Sequence, residues 1–207
     1  MSKVFGIGLS RTGTTSLTLA LKALGYQAAH FPSDDDTRRE VTAHVLAGGG
    51  PIELTILKEL DALTDTPVCC AYQALDACYP GSKFILTVRN RSSWLESCRV
   101  FWGRNPAVSG EGTHESSMVQ FVNLIRHHLY GATRFDERLF ETSYDRYVAG
   151  VRRHFRNDPG RLLVMDVCGG DRWDVLCPFL GLTVPDVPFP HEHRGSPLTV
   201  SGGESQP

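Results

Sequence analysis

The residues Gly8-Leu9-Ser10-Arg11-Thr12-Gly13-Thr14-Thr15 concentrate more usable chemistry than any other stretch of the chain. Two glycines, four hydroxyl side chains and an arginine lie between an apolar run and an amphipathic stretch. Backbone N–H groups of such a loop, together with the positive end of the helix that follows, hold an anionic phosphate. A nucleoside-triphosphatase loop reads G-x-x-x-x-G-K-[ST]; Gly8 and Gly13 keep that spacing, but Thr14 stands where the lysine would. The cation is instead Arg11, inside the loop, where it can neutralise charge on a bridging oxygen.

The elements that must position this loop follow from periodicity. Lys3 to Gly8 is a short buried strand, and Thr15 to Leu24 a helix with Leu17, Leu21 and Leu24 on one face and Gly25 as its stop. A second strand is expected over Tyr26 to His30, then a turn through Asp34-Asp35-Asp36 into a helix. After the break at Gly48-Gly49-Gly50-Pro51, Glu53 to Leu60 is expected to be helical. Ala62 to Thr64 form a brief strand ending at Asp65, and Thr66-Pro67 open a helix with Val68, Ala71, Leu75 and Cys78 on one face. Lys83 to Val88 is the clearest strand, and Ser93-x-x-Glu96 predicts a capping box for the next helix. Phe101 to Thr113 is expected to be a loop, Met118 to Tyr130 and Tyr144 to Phe155 helices, Arg161 to Val167 a strand and Trp173 to Leu180 a helix. Strands alternating with helices predict an α/β fold: a three-layer, P-loop-type arrangement with a central parallel sheet of four or five strands flanked by helices. It would occupy residues 1–197, with a loose tail over 198–207.

Arg11-Thr12-Gly13-Thr14-Thr15, in its strand–loop–helix setting, resembles the phosphosulfate loop of the sulfotransferase superfamily, within a subfamily carrying an Arg-Thr-Gly-Thr-Thr-Ser loop. The resemblance implies an enzyme that moves the sulfuryl group of 3′-phosphoadenosine 5′-phosphosulfate (PAPS) to a hydroxyl, leaving the bisphosphate PAP. It assigns the 5′-phosphosulfate to Arg11, Thr12, Gly13, Thr14 and Thr15. Similar enzymes bind the 3′-phosphate with an arginine at a strand end and a serine eight residues later, and Arg89 and Ser97 stand at that offset. The strand aims Arg89 at the carboxyl edge of the sheet, where open α/β folds bind ligands. Weaker matches at Tyr79 to Lys83, Trp94, Arg161 to Val164 and Trp173 to Pro190 extend the resemblance over about nine tenths of the chain. Arg104 to Tyr130 carries no such motif and is where acceptor recognition is expected.

Sulfuryl transfer needs a group that takes the acceptor's proton. Asp65 is the first candidate, because Thr64-Asp65-Thr66-Pro67 is similar to the Thr-His-x-Pro setting of the histidine base in cytosolic sulfotransferases. A carboxylate serves alone only if its surroundings raise its pKa. Asp65 can equally assist the cap at Thr66. His30 is the second candidate: it follows a strand, and an imidazole titrates near neutral pH. Two rivals stay open, a divergent P-loop kinase and a nucleotide-binding module without turnover.

Composition bounds the rest. The 207 residues carry 41% hydrophobic side chains and a formal charge of −2, which excludes disorder and a globally basic nucleic-acid binder. Basic residues are 17 Arg against 4 Lys; planar donors of this kind suit phosphate recognition, though biased composition produces the same ratio. No apolar run reaches the roughly 18 residues that span a bilayer, and Met1-Ser2-Lys3 does not open a signal peptide, so a cytoplasmic protein off the membrane is expected. The six cysteines lack a C-x-x-C spacing and read as small buried hydrophobes. His127-His128 and His191-x-His193 lack zinc-ligand partners, so no metal is expected. A small acceptor is expected from the chain's size. Nothing in the sequence sets the oligomeric state.

Overall fold

Strand β1, Val4–Gly6, is the middle of the sheet, and its three residues are buried because both faces are covered. A computed structural model describes residues 2–103 and 117–191. The other strands are β2 (Ala28–His30), β3 (Ala62–Thr64), β4 (Lys83–Thr87) and β5 (Leu162–Met165), and every pairing is parallel in the order β2-β3-β1-β4-β5. The expected sheet of four or five strands thus has five. Seven α-helices flank it among the described residues: α1 (Thr14–Ala23), α2 (Asp35–Leu46), α3 (Tyr72–Cys78), α4 (Arg91–Gly103), α5 (Ser117–Tyr130), α6 (Glu137–His154) and α7 (Trp173–Leu180).

Alternation along each strand sends neighbouring side chains into two separate cores. Phe5, Phe84 and Leu86 pack on one face with Val41, Leu75, Trp94, Phe121, Phe140 and Val151 from α2 to α6. Val4, Ile85 and Met165 pack on the other with Leu17 and Leu21 of α1 and Leu176 and Cys177 of α7. Each fully buried side chain of this size contributes about 1.5–3 kcal/mol, so both layers are held mainly by apolar burial. All five strands point the same way, and their carboxyl ends place His30, Asp65, Gly8, Arg89 and Val167 along one edge.

Several local expectations are corrected. Thr55–Lys58 form one 3₁₀ turn rather than a helix over 53–60, since Glu40 binds both the amide (3.0 Å) and the hydroxyl (2.5 Å) of Thr55. The segment after Pro67 is a 3₁₀ turn, Val68–Cys70, with α3 starting only at Tyr72. No capping box forms at Ser93: Asn90 Oδ1 accepts from the Ser93 amide (3.1 Å), and Glu96 pairs instead with Arg99. Helix α6 begins at Glu137, ahead of the apolar stripe, because Asp136 caps it through the Leu139 amide (2.9 Å). Phe101 and Trp102 belong to the last turn of α4 rather than to a loop. The rest of that expected loop, residues 104–113, lies outside the described residues, as do residues 104–116 of the acceptor segment and the expected tail at 198–207.

Candidate active site

The loop leaving β1 is shaped from beneath. A Cβ on Gly8 would lie 1.8 Å from Thr87 Oγ1 and 2.8 Å from Thr12 Oγ1, so no side chain fits there. The freed space holds a buried hydroxyl pair: Thr12 Oγ1 donates to Leu9 O (2.6 Å) and lies 2.6 Å from Thr87 Oγ1. Thr12 also gives its amide to Leu9 O (3.3 Å) and is fully buried. It therefore braces the loop from inside. Trp94 pins the loop from α4, its Nε1 donating to Ser10 O at 3.0 Å. Arg11 and Gly13 take left-handed φ of 74° and 98°, a conformation glycine adopts freely and arginine at a cost. These turns bring the chain into α1 without a side-chain cap, which leaves the N–H groups of its first turn to be satisfied from outside the helix.

Arg11, Arg89 and the α4 serines meet beside that loop. Arg11 is half-buried; its Nε donates to Ser97 Oγ (3.1 Å) and its guanidinium lies 4.8 Å above the Phe101 ring. Burial lowers its pKa and nearby Arg89 lowers it further, against the opposing pull of Cys98 and Asp65. Arg89 donates from Nε to Ser93 Oγ (2.9 Å) and from NH1 to Arg11 O (3.3 Å). Arg89 and Ser97 thus stand at the same edge, but Ser97 is bonded to Arg11, and Ser93 supplies the hydroxyl on Arg89.

The two candidate proton acceptors are brought into contact. His30 Nε2 lies 3.0 Å from Asp65 Oδ2 and 3.2 and 3.3 Å from the hydroxyls of Thr14 and Thr15. Ser10 donates to Asp65 Oδ1 at 2.7 Å. Asp65 is buried, with a left-handed φ of 71°. Burial pushes its carboxyl up, but the hydrogen bond and charge of His30, then the bonds from Ser10 and Thr66, outweigh that and hold it below the ordinary carboxylate value. The shift is opposite to the one a lone carboxylate base needs. A carboxylate held ionised beside an imidazole is suited to stabilising that imidazole's charged form.

Ser10 and Ser93 are the side chains whose place in the site sequence reasoning misses: from the sequence, Ser93 figures only in an expected capping box. Ser10 lies within the conspicuous loop, and its hydroxyl next to a buried Asp is visible only once β1 and β3 pair. Ser93 lies one helical turn before Ser97 and one turn after Arg89, an i, i+4, i+8 series that was available in the sequence.

The acidic triplet has structural partners. Asp34 caps α2 through the Thr37 amide (3.0 Å), while Asp35 and Asp36 pair with Arg38 and Arg39. Cys69 is buried, which pushes its thiol well up, and the six cysteines are all free. Among the described residues no group of three or more His, Cys, Asp or Glu side chains is placed to hold a metal ion, and no helix is long and apolar enough to cross a membrane.

Comparison with known proteins shows the family. The chain is 30% identical over 211 residues to Ava biosynthesis cluster protein M of Aspergillus versicolor, covering 91% of this chain and 80% of that protein. A family described as the sulfotransferase domain matches residues 3–197. Loop, sheet edge and match together place this chain in the sulfotransferase domain family.

Proposed function

We propose that this sulfotransferase takes its sulfuryl group from PAPS and delivers it to a hydroxyl of a small-molecule acceptor. The observation that carries the reading is the His30–Asp65 pair, 3.0 Å apart and bonded through Ser10, Thr14 and Thr15 to the loop that would cradle the phosphosulfate. PAPS, when bound, supplies the sulfuryl group and is left as PAP. The uncapped first turn of α1 offers N–H groups to the 5′ end, and Arg11 neutralises charge that grows on the bridging oxygen. Arg89, with Ser93 beside it, presents a planar charged donor to the 3′-phosphate. His30 Nε2–H donates to the ionised Asp65 carboxylate (3.0 Å), which leaves Nδ1 as the ring nitrogen that takes the acceptor's proton, and Asp65 stabilises the resulting imidazolium. Fixed donors here do the work that magnesium does in phosphoryl transfer, so the reading invokes no metal.

Thr14 weighs against the kinase alternative, since its side chain faces His30 and cannot supply the charge of a P-loop lysine. The cytoplasmic expectation stays within this reading, supported by six free thiols. Calorimetry with PAP, set against ATP with magnesium, tests the donor; radiolabelled sulfate transfer from PAPS to a panel of phenols and alcohols tests the reaction. Binding of PAP with label transfer is the expected result. Binding of ATP–magnesium alone would put the chain among kinase-like proteins, and PAP binding without transfer to any acceptor would make it a binding module.

A further inference from the structure

Two side chains of helix α6 reach the backbone of the site. Tyr144 accepts a hydrogen bond from the Arg89 amide (2.9 Å) and donates to Arg89 O (2.7 Å), so one hydroxyl closes on both polar groups of a single residue. Tyr147, one turn later, donates to Ile7 O (2.6 Å) and Cys69 O (3.1 Å). The first clamp sits where β4 gives way to the arginine of the 3′ pocket. The second ties the exit of β1, just before the phosphosulfate loop, to the turn that follows Asp65.

A packing role alone does not require these hydroxyls. The apolar face of α6 also carries Phe140 and Val151, with Phe155 at its C-cap, and these fill the same core without polar atoms. Tyr144 pairs both backbone groups of Arg89, two residues past β4, and Tyr147 pairs the carbonyls of Ile7 and Cys69, where an unpaired buried polar group is costly. Both phenols are carried by one helix, at i and i+3, so their separation is set by the rigid helical repeat. Tyr144 is further seated by the Trp94 ring at 4.6 Å, the same side chain that pins Ser10.

We infer that Tyr144 and Tyr147 are positioning residues that set the spacing between the two ends of the donor site, with Tyr144 acting on the 3′ pocket and Tyr147 on the 5′ loop. The inference rests on the PAPS reading. It accounts for two tyrosine hydroxyls on the core face of α6, and it divides donor recognition between two residues set on one helix.

The test is calorimetry of wild type, Tyr144→Phe and Tyr147→Phe with PAP and with adenosine 5′-monophosphate, which lacks the 3′-phosphate. Circular dichroism and thermal melts check that both variants fold. Tyr144→Phe removes both bonds to Arg89 and should weaken PAP about tenfold, while the monophosphate changes less than about twofold. The preference for the 3′-phosphate then falls about tenfold. Tyr147→Phe should weaken both ligands alike and leave the preference unchanged. Variants that melt lower but keep both affinities, or that both weaken the two ligands equally, overturn the inference while leaving the donor reading intact. Wild-type protein that binds neither ligand overturns both.

Discussion

His30 Nε2 and Asp65 Oδ2 stand 3.0 Å apart at the ends of two adjacent parallel strands, β2 and β3. The parallel register puts His30 beside Thr64, one residue before Asp65, so the pair is produced by strand alignment. Two side chains in such contact act as a unit, and removing either removes most of what the unit does. Asp65→Asn and His30→Ala are each expected to lower kcat by roughly 10²–10⁴. The double variant should be little worse than the more damaging single one. PAP affinity measured by calorimetry should stay close to wild type in all three. Fully additive losses would show that the two residues work separately.

Gly8→Ala should abolish donor binding through sterics alone. Its Cβ would lie 1.8 Å from Thr87 Oγ1, inside a hydroxyl pair that braces the loop. Overpacking of this kind costs about 1–3 kcal/mol or more, and the loop must shift to relieve it. Adding Thr87→Ala should restore part of the stability in thermal melts, because it removes the atom in the way. A Gly8→Ala variant with wild-type melting and PAP binding would contradict the tight contact.

Arg89 and Ser97 should separate in their effects. Arg89→Ala removes a charged donor from the proposed 3′ pocket, and charge-assisted bonds are worth about 1.5–3 kcal/mol, so PAP affinity should fall by about ten- to a hundredfold. Ser97→Ala frees the Arg11 Nε that it accepts. The measured consequence should be a larger loss in kcat than in PAP affinity. Equal losses of PAP affinity in both variants would instead mean that Ser97 contacts the 3′-phosphate directly.

Stability should carry an acid-side signature of Asp65. Its carboxyl is held below the ordinary value despite burial, by His30 first and then by Ser10 and Thr66. A carboxyl depressed in the folded state stabilises the fold fully above its unfolded pKa of about 3.9, and that contribution disappears as pH falls through the lower folded value. Thermal melts from neutral pH to pH 3 should therefore show the gap between wild type and Asp65→Asn narrowing below about pH 4. A gap that widens with acid would reverse the sign of the shift.

Much of the fold was readable along the chain. KFILT, the run that becomes β4, is buried over four of its five residues, and a continuous apolar run of that length declares a strand covered on both sides. The Gly8 to Thr15 loop marked itself as a candidate anion site by residue type, and its expected place between strand and helix is the one it occupies. Element boundaries fared less well where a side chain from elsewhere decided them, as Glu40 does at Thr55 and Asn90 does at Ser93.

What the amino-acid order alone determined is the class of fold and the identity of the groups that reach the sheet edge, because period and punctuation are local properties of a chain. Which of those groups touch was decided by tertiary structure. Asp65 and His30 are separated by 35 residues and meet only because β2 and β3 pair in register; Ser97 turned to Arg11 and Ser93 to Arg89 because the pitch of α4 set them one turn apart above two different strands. Distances of that kind depend on how strands align and how helices pack across them, and no spacing within a single segment encodes them.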